Sequence, residues 1–160
     1  MSVRGFTAPR EDRYLEDYVP GMVFEFDETV TLTEKDILDF AAGYDPQVFH
    51  TDPVKAEESI YKGLIASGAH TISVTFRILV KNFLPGKASF GSPGMDELRW
   101  LKPVRPGDCL RLRVTITDVQ PSRSKNDRGT VFSFLETVNQ DDEVVMSFKG
   151  RAIMAKRHPG

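Results

Sequence analysis

An aspartate and a histidine, Asp45 and His50, stand five positions apart in the stretch Tyr44-Asp45-Pro46-Gln47-Val48-Phe49-His50, with Thr51-Asp52-Pro53 directly behind it. Pro46 cannot continue a helix and pushes Asp45 towards extended backbone, so the stretch reads as a turn between two helical patterns. Tyr44, Val48 and Phe49 give that turn apolar surroundings. A carboxylate and an imidazole held beside an apolar wall can share one water and exchange its protons near neutral pH. The competing reading is a capping Asp45 and a hydrogen-bonded core His50 that only fix the loop. A second feature is Ser67-Gly68-Ala69-His70-Thr71. With Ser67 as N-cap, a helix starting here presents unpaired N–H groups and its positive dipole end. Gly68 has no side chain, so a carbonyl oxygen can approach its N–H closely, and such donors stabilise developing negative charge. An ordinary capped helix with a tightly packed glycine competes with that reading. His70 is either a polar residue lining the site or a buried structural histidine.

Elements on either side must hold these groups in place. Residues 1–17 read as an extended arm, with Tyr14, Leu15 and Tyr18 as docking points, and Met22 to Leu32 as a strand. Thr33-Glu34-Lys35-Asp36 opens a helix, with Thr33 as cap and acidic residues at the positive dipole end. Gly43 is its expected stop. Asp52-Pro53 starts a second, short helix, which gives Asp52 a capping task. The main helix begins at Ser67 and stops at Pro85-Gly86, and Ile72, Phe76, Leu79 and Phe83 form its apolar stripe. Val74 and Ile78 lie on other faces, so the helix is expected to be covered nearly all round.

After Ala88 the apolar period becomes two. Strands are expected over about Met95–Leu101, Leu110–Ile116, Val131–Val138 and Val144–Ala155, with Trp100 as sheet core. Pro121 to Gly129 reads as a polar loop whose Arg123, Lys125 and Arg128 face solvent, and residues 157–160 as a tail. The order predicts an α+β domain in which a curved antiparallel β-sheet wraps a long central α-helix.

The 160 residues fit one domain with a substantial core. A formal net charge of −2 gives no support to a nucleic-acid partner. The single cysteine, Cys109, excludes an internal disulfide and fits a reducing, cytoplasmic compartment. No Cys/His cluster has zinc spacing, and neither a dinucleotide fingerprint nor a phosphate loop occurs. No apolar run follows Arg4, so a secretory signal is not expected. The apolar stretch from Ile72 to Val80 carries Arg77 and is too short to span a bilayer, so no membrane partner is expected.

The combined pattern Phe40-Ala41, Asp45-Pro46, His50-Thr51-Asp52, then Gly63-Leu64-Ile65-Ala66-Ser67-Gly68, then Leu98-Arg99-Trp100-Leu101-Lys102-Pro103-Val104-Arg105-Pro106-Gly107-Asp108 resembles the MaoC-like dehydratases. These are related to the (R)-specific enoyl-CoA hydratases and share the hotdog fold, so the resemblance implies one hotdog domain over residues 18–156. It implies that Asp45 and His50 activate the water added across the double bond of a trans-2-enoyl thioester, giving a 3-hydroxyacyl thioester. It also implies that the Gly68 N–H faces the thioester carbonyl. Gln47, Phe49, Ser67 and His70 are the candidate substrate-binding residues. No metal or redox cofactor is implied; coenzyme A enters as part of the substrate. A homodimer or higher homo-oligomer is implied, with the acyl thioester along the subunit interface. The family motif usually reads Gly-Asp-x-Asn-Pro-aliphatic-His; here Tyr44 precedes Asp45 and Pro46-Gln47-Val48-Phe49 fills the gap. Ser67 stands where a histidine is often found. The rival expectations are a hotdog acyl-CoA thioesterase and a non-catalytic acyl-thioester binding protein.

Overall fold

Residues 5–160 are described by the computed structural model, so the first four residues of the expected arm lie outside the described residues. From Arg10 the arm is not extended: Arg10–Asp12 and Leu15–Asp17 wind into 3₁₀ turns. The Asp17 carboxylate accepts the Tyr14 N–H at 2.8 Å, and Leu15 and Tyr18 are buried, so apolar docking and a local cap together curl the chain. The tail folds back on this segment, with Arg157 donating to Asp17 Oδ2 at 2.8 Å.

The single strand expected from Met22 to Leu32 is divided into β1 (Val23–Glu25) and β2 (Val30–Thr31). The polar residues between them leave the ladder because Glu28 reaches across to accept from Asn82 Nδ2 at 2.7 Å. Helix α1 (Glu34–Tyr44) opens on a capping box in which Thr33 and Asp36 satisfy each other's backbone N–H groups. Gly43 does not stop it. The helix runs on until the Asp45 N–H bonds Ala41 O at 2.9 Å, and Pro46, with no N–H to offer, ends it. One helical turn, α2 (Val48–Thr51), carries His50, and α3 (Pro53–Glu58) follows with Asp52 Oδ1 accepting from Val54 and Lys55 N–H.

Helix α4 (Gly68–Asn82) is capped by Ser67, whose Oγ accepts the Ala69 N–H at 3.2 Å. Its buried face differs from the expected stripe. Thr71, Val74, Thr75, Ile78 and Leu79 face inward, whereas Phe76 and Val80 are 37% and 42% exposed. Thr75 sits in that core face with its hydroxyl satisfied: Oγ1 lies 2.8 Å from Thr71 O and 2.6 Å from Thr137 Oγ1.

Strands β3 (Met95–Trp100), β4 (Cys109–Pro121), β5 (Arg128–Val138) and β6 (Val144–Ala155) complete one antiparallel sheet of order β1-β4-β5-β6-β3, with β2 also on β4. The alternation in β4 is clean: Leu110, Leu112, Val114 and Ile116 are fully buried, while the arginines between them are partly exposed. This inner face packs with the inward face of α4 in one core, the α+β arrangement that the order of elements predicts. Edge strand β3 is exposed along most of its length, and its pairing with β6 shifts register between Asp96 and Arg99. Among the described residues, no helix is long and apolar enough to cross a membrane.

Candidate active site

The end of α1, the turn α2 and the start of α4 meet, and their meeting brings Asp45, His50, Ser67 and Gly68 together. Asp45 is the C-cap of α1, with backbone φ −154° as the following proline demands. Its Oδ2 lies 3.3 Å from His50 Nε2 and accepts the Ser67 hydroxyl at 2.7 Å. Its Oδ1 accepts Gln47 Nε2 at 2.7 Å. The Gln47 hydrogen bond first, then that from Ser67, hold the Asp45 carboxyl below the usual carboxylate range, against the opposing effect of burial.

His50 is 4% exposed, and its Nδ1 lies 2.7 Å from the carbonyl oxygen of Ile65. A carbonyl only accepts, so Nδ1 carries a proton, and in the neutral form of such a ring Nε2 is an acceptor. Two acceptors, Nε2 and Asp45 Oδ2, therefore face each other at 3.3 Å. One molecule with two O–H donors, such as water, can satisfy both at once. Phe49 sets its ring against His50, centroids 4.6 Å apart, and Tyr61 stands against Phe49 at 5.1 Å.

A cavity of about 640 Å³ opens beside these groups, and Asp45, Gln47, Phe49, His50 and Gly68 all line it. The Gly68 N–H makes no hydrogen bond among the described residues, because Ser67 serves Ala69, His70 and Thr71 instead. His70 is not brought to this cavity. It points towards α1, stacks on Phe40 with centroids 4.4 Å apart, and is 8% exposed, with Nδ1 unpartnered among the described residues. Burial pushes its pKa down, opposed by the charge of Asp36. One helical position sets this apart: residues 68, 69 and 72 face the cavity, and residue 70 turns away from it.

Sequence reasoning missed Trp100. It is not sheet core: it is 55% exposed, lines the cavity, and donates from Nε1 to Gly68 O at 3.2 Å. Its position on an edge strand, with no partner strand to cover it, explains the exposure. Tyr61 and Ile65 carry no signal in the sequence either, and only their packing around His50 reveals them. Among the described residues, no three His, Cys, Asp or Glu side chains converge as a metal-ligand set.

The sequence profile of the MaoC-like domain family matches residues 17–137. An uncharacterised protein of Bacillus subtilis, YdeM, is 32% identical over 144 residues, covering 89% of this chain and 99% of that protein. The crystal structure of a MaoC-like dehydratase from Rhodospirillum rubrum superposes with a TM-score of 0.84 at 37% identity, covering 91% of this chain and 99% of the other. The (R)-hydratase PhaJ1 of Pseudomonas aeruginosa shares the fold, with a TM-score of 0.70 at 24% identity over 91% of this chain and 86% of its own.

Proposed function

The chain belongs to the MaoC-like domain family, a hotdog-fold family of hydratase and dehydratase type, and from that premise we propose that it reversibly hydrates a trans-2-enoyl thioester of coenzyme A. The observation that carries the proposal is the facing pair Asp45 Oδ2 and His50 Nε2, 3.3 Å apart at the wall of a cavity. A water donating to both is held with its oxygen lone pairs free to attack.

Asp45, kept anionic by Gln47 and Ser67, orients the water and does not serve as the acid. As the water oxygen bonds to C3, His50 Nε2 takes its proton, and the C2–C3 π electrons move onto the thioester carbonyl oxygen. The free Gly68 N–H receives that charge, a donor worth a few kcal/mol in a preorganised site. His50 Nε2 then returns the proton to C2, so one water has been added and the enzyme is unchanged. With both transfers on one side of the substrate, the addition is syn. No electrons are exchanged overall, so the steps call for no redox cofactor. On this reading Gln47 and Ser67 serve the carboxylate, Phe49 buttresses His50, and His70 touches neither substrate nor water.

The same reading takes the protein as a homodimer or higher oligomer. The exposed edge strand β3, with Trp100 and Leu101 each 55% exposed beside the cavity, favours a second copy covering that edge. Only an 18 kDa species in sedimentation at micromolar concentration would remove that part. The free thiol of Cys109 suits a reducing, cytoplasmic setting.

The test is a panel of trans-2-enoyl-CoA substrates, with loss of conjugated-alkene absorbance and release of free thiol followed in parallel. Absorbance loss without thiol is the expected result. Thiol release would instead identify a thioesterase, and binding without either change a non-catalytic acyl-thioester binder.

A further inference from the structure

Gly68 is a glycine for a reason separate from substrate approach. A methyl group built on its α-carbon would fall 2.5–2.7 Å from Cε2, Cζ2 and Nε1 of Trp100, a distance that no real side-chain carbon tolerates. Its φ lies outside the left-handed region, so the backbone itself would accept another residue there. The indole is what a side chain there would have to displace. The same ring donates from Nε1 to Gly68 O, so one side chain both presses on and bonds to the residue whose N–H is free. Yet Trp100 remains 55% exposed and lines the cavity, so this contact is not core packing.

We propose that Trp100 is a positioning residue of the thioester site, its indole forming the wall that fixes where a carbonyl oxygen bound at the Gly68 N–H must lie. The inference rests on the hydration reading only for which thioester binds; the wall follows from the ring's contact with Gly68. The indole, Gly68, Asp45 and His50 all line one cavity, so a carbonyl approaching the N–H meets one side already closed by the ring. Placement of this kind matters steeply, since a shift of about 1 Å can cost on the order of 10²-fold in rate.

Trp100 is the only tryptophan of the chain, so its fluorescence reports on this wall alone. The experiment titrates the full-length protein with butanoyl-CoA, which is saturated and cannot be hydrated, using free coenzyme A as the control. Trans-2-butenoyl-CoA hydration and thermal melts are measured in parallel for wild type, Trp100→Ala, Trp100→Phe, Gly68→Ala and the Gly68→Ala/Trp100→Ala double variant.

A saturable change in emission with butanoyl-CoA, larger than with free coenzyme A, is expected. Trp100→Ala is expected to lower kcat roughly 10- to 100-fold, and Trp100→Phe, which restores a ring without the N–H, to recover most of that loss. Gly68→Ala, by displacing the indole, should mimic Trp100→Ala, and the double variant should be little worse than the poorer single one. A silent Trp100 at saturating butanoyl-CoA, or Trp100→Ala turnover equal to wild type, overturns the wall. So does a rate loss that tracks a fall in melting temperature and is not recovered by Trp100→Phe. A wild type whose Trp100 responds to butanoyl-CoA without any hydration would sink the hydratase reading and keep the wall. One that hydrates with a silent Trp100 does the reverse.

Discussion

The two ends of α4 are built on opposite plans. At the C-terminal end the last carbonyls are closed off: Arg10 Nε donates to Val80 O at 2.9 Å, Arg13 to Asn82 O at 2.7 Å, and the Tyr18 hydroxyl to Phe83 O at 2.5 Å. Phe6, Tyr18, Phe24 and Phe83 pack ring against ring around that closure. At the N-terminal end, Gly68 N–H is left free, His70 Nδ1 is buried without a partner, and the nearest aromatic wall is half in solvent. A helix terminus that satisfies all its groups is stable and inert; one that withholds them has interactions left for a ligand. Arginines also suit the negative end of the helix dipole, so charge and hydrogen bonding agree at the closed end. The arm thus anchors one end of a rod whose other end borders the candidate site.

The largest effect expected from this contrast is on rate, at the open end. Asp45→Asn and His50→Gln should each lower hydration about 10²- to 10⁴-fold with little change in melting temperature. On the proposed shared-water mechanism, the double variant should be little worse than the poorer single one. Fully multiplicative losses in a double-mutant cycle would break the shared-water account.

A smaller effect, on stability, is expected at the closed end. Tyr18→Phe leaves the buried Phe83 carbonyl without its hydroxyl donor and should lower unfolding free energy by about 1–3 kcal/mol, with kcat/KM unchanged. Equilibrium unfolding in urea beside steady-state kinetics measures both; a fall in kcat/KM at full folding would show that the two ends are coupled.

The smallest effect concerns His70 and appears only as a pH dependence. Its folded pKa is lowered by burial, so the unfolded chain binds the proton more readily. The stability penalty is therefore absent well above the unfolded value of about 6.5 and grows as pH falls below it. His70→Phe, which keeps a ring against Phe40, should flatten the loss of melting temperature between about pH 7 and pH 5. Parallel pH profiles for the variant and wild type would assign the acid sensitivity elsewhere.

The legibility of these features differs by the kind of interaction that makes them. The β4 alternation, the Ser67 cap and the β6 boundaries follow from local periodicity and capping, and the structure has them where the residues predict. The inward face of α4 escapes an apolar count because such a count passes over threonine. Thr75 is a core residue by virtue of its hydroxyl's hydrogen bonds, one of which spans 62 positions. The Asp45–His50 spacing is visible in the chain, but the Ser67 hydroxyl that steadies the carboxylate comes from 22 residues away. Gln47, a candidate substrate contact, lines the cavity and also bonds Asp45, a second task that no spacing rule announces. Trp100 is hidden by its own hydrophobicity, since a large indole in a strand is ordinarily taken for interior.

The buried hydroxyl pair of Thr75 and Thr137 has a mechanical consequence. A cylinder resting in an oily cradle has many nearly equivalent angular settings, because the hydrophobic effect that holds it is non-directional. A step of one residue turns it by about 100°. Such a slip would carry Gly68 away from Trp100 and from the cavity, though apolar surface uncovered on one side would be partly covered again on another. Two hydroxyls that meet between helix and sheet act as a keyway, since another setting strands the Thr137 hydroxyl, whereas Thr75 keeps its bond to Thr71 O. Replacing both with valine should therefore leave a helix still held in its cradle but no longer indexed to it, with broadened amide resonances along α4 in NMR spectra.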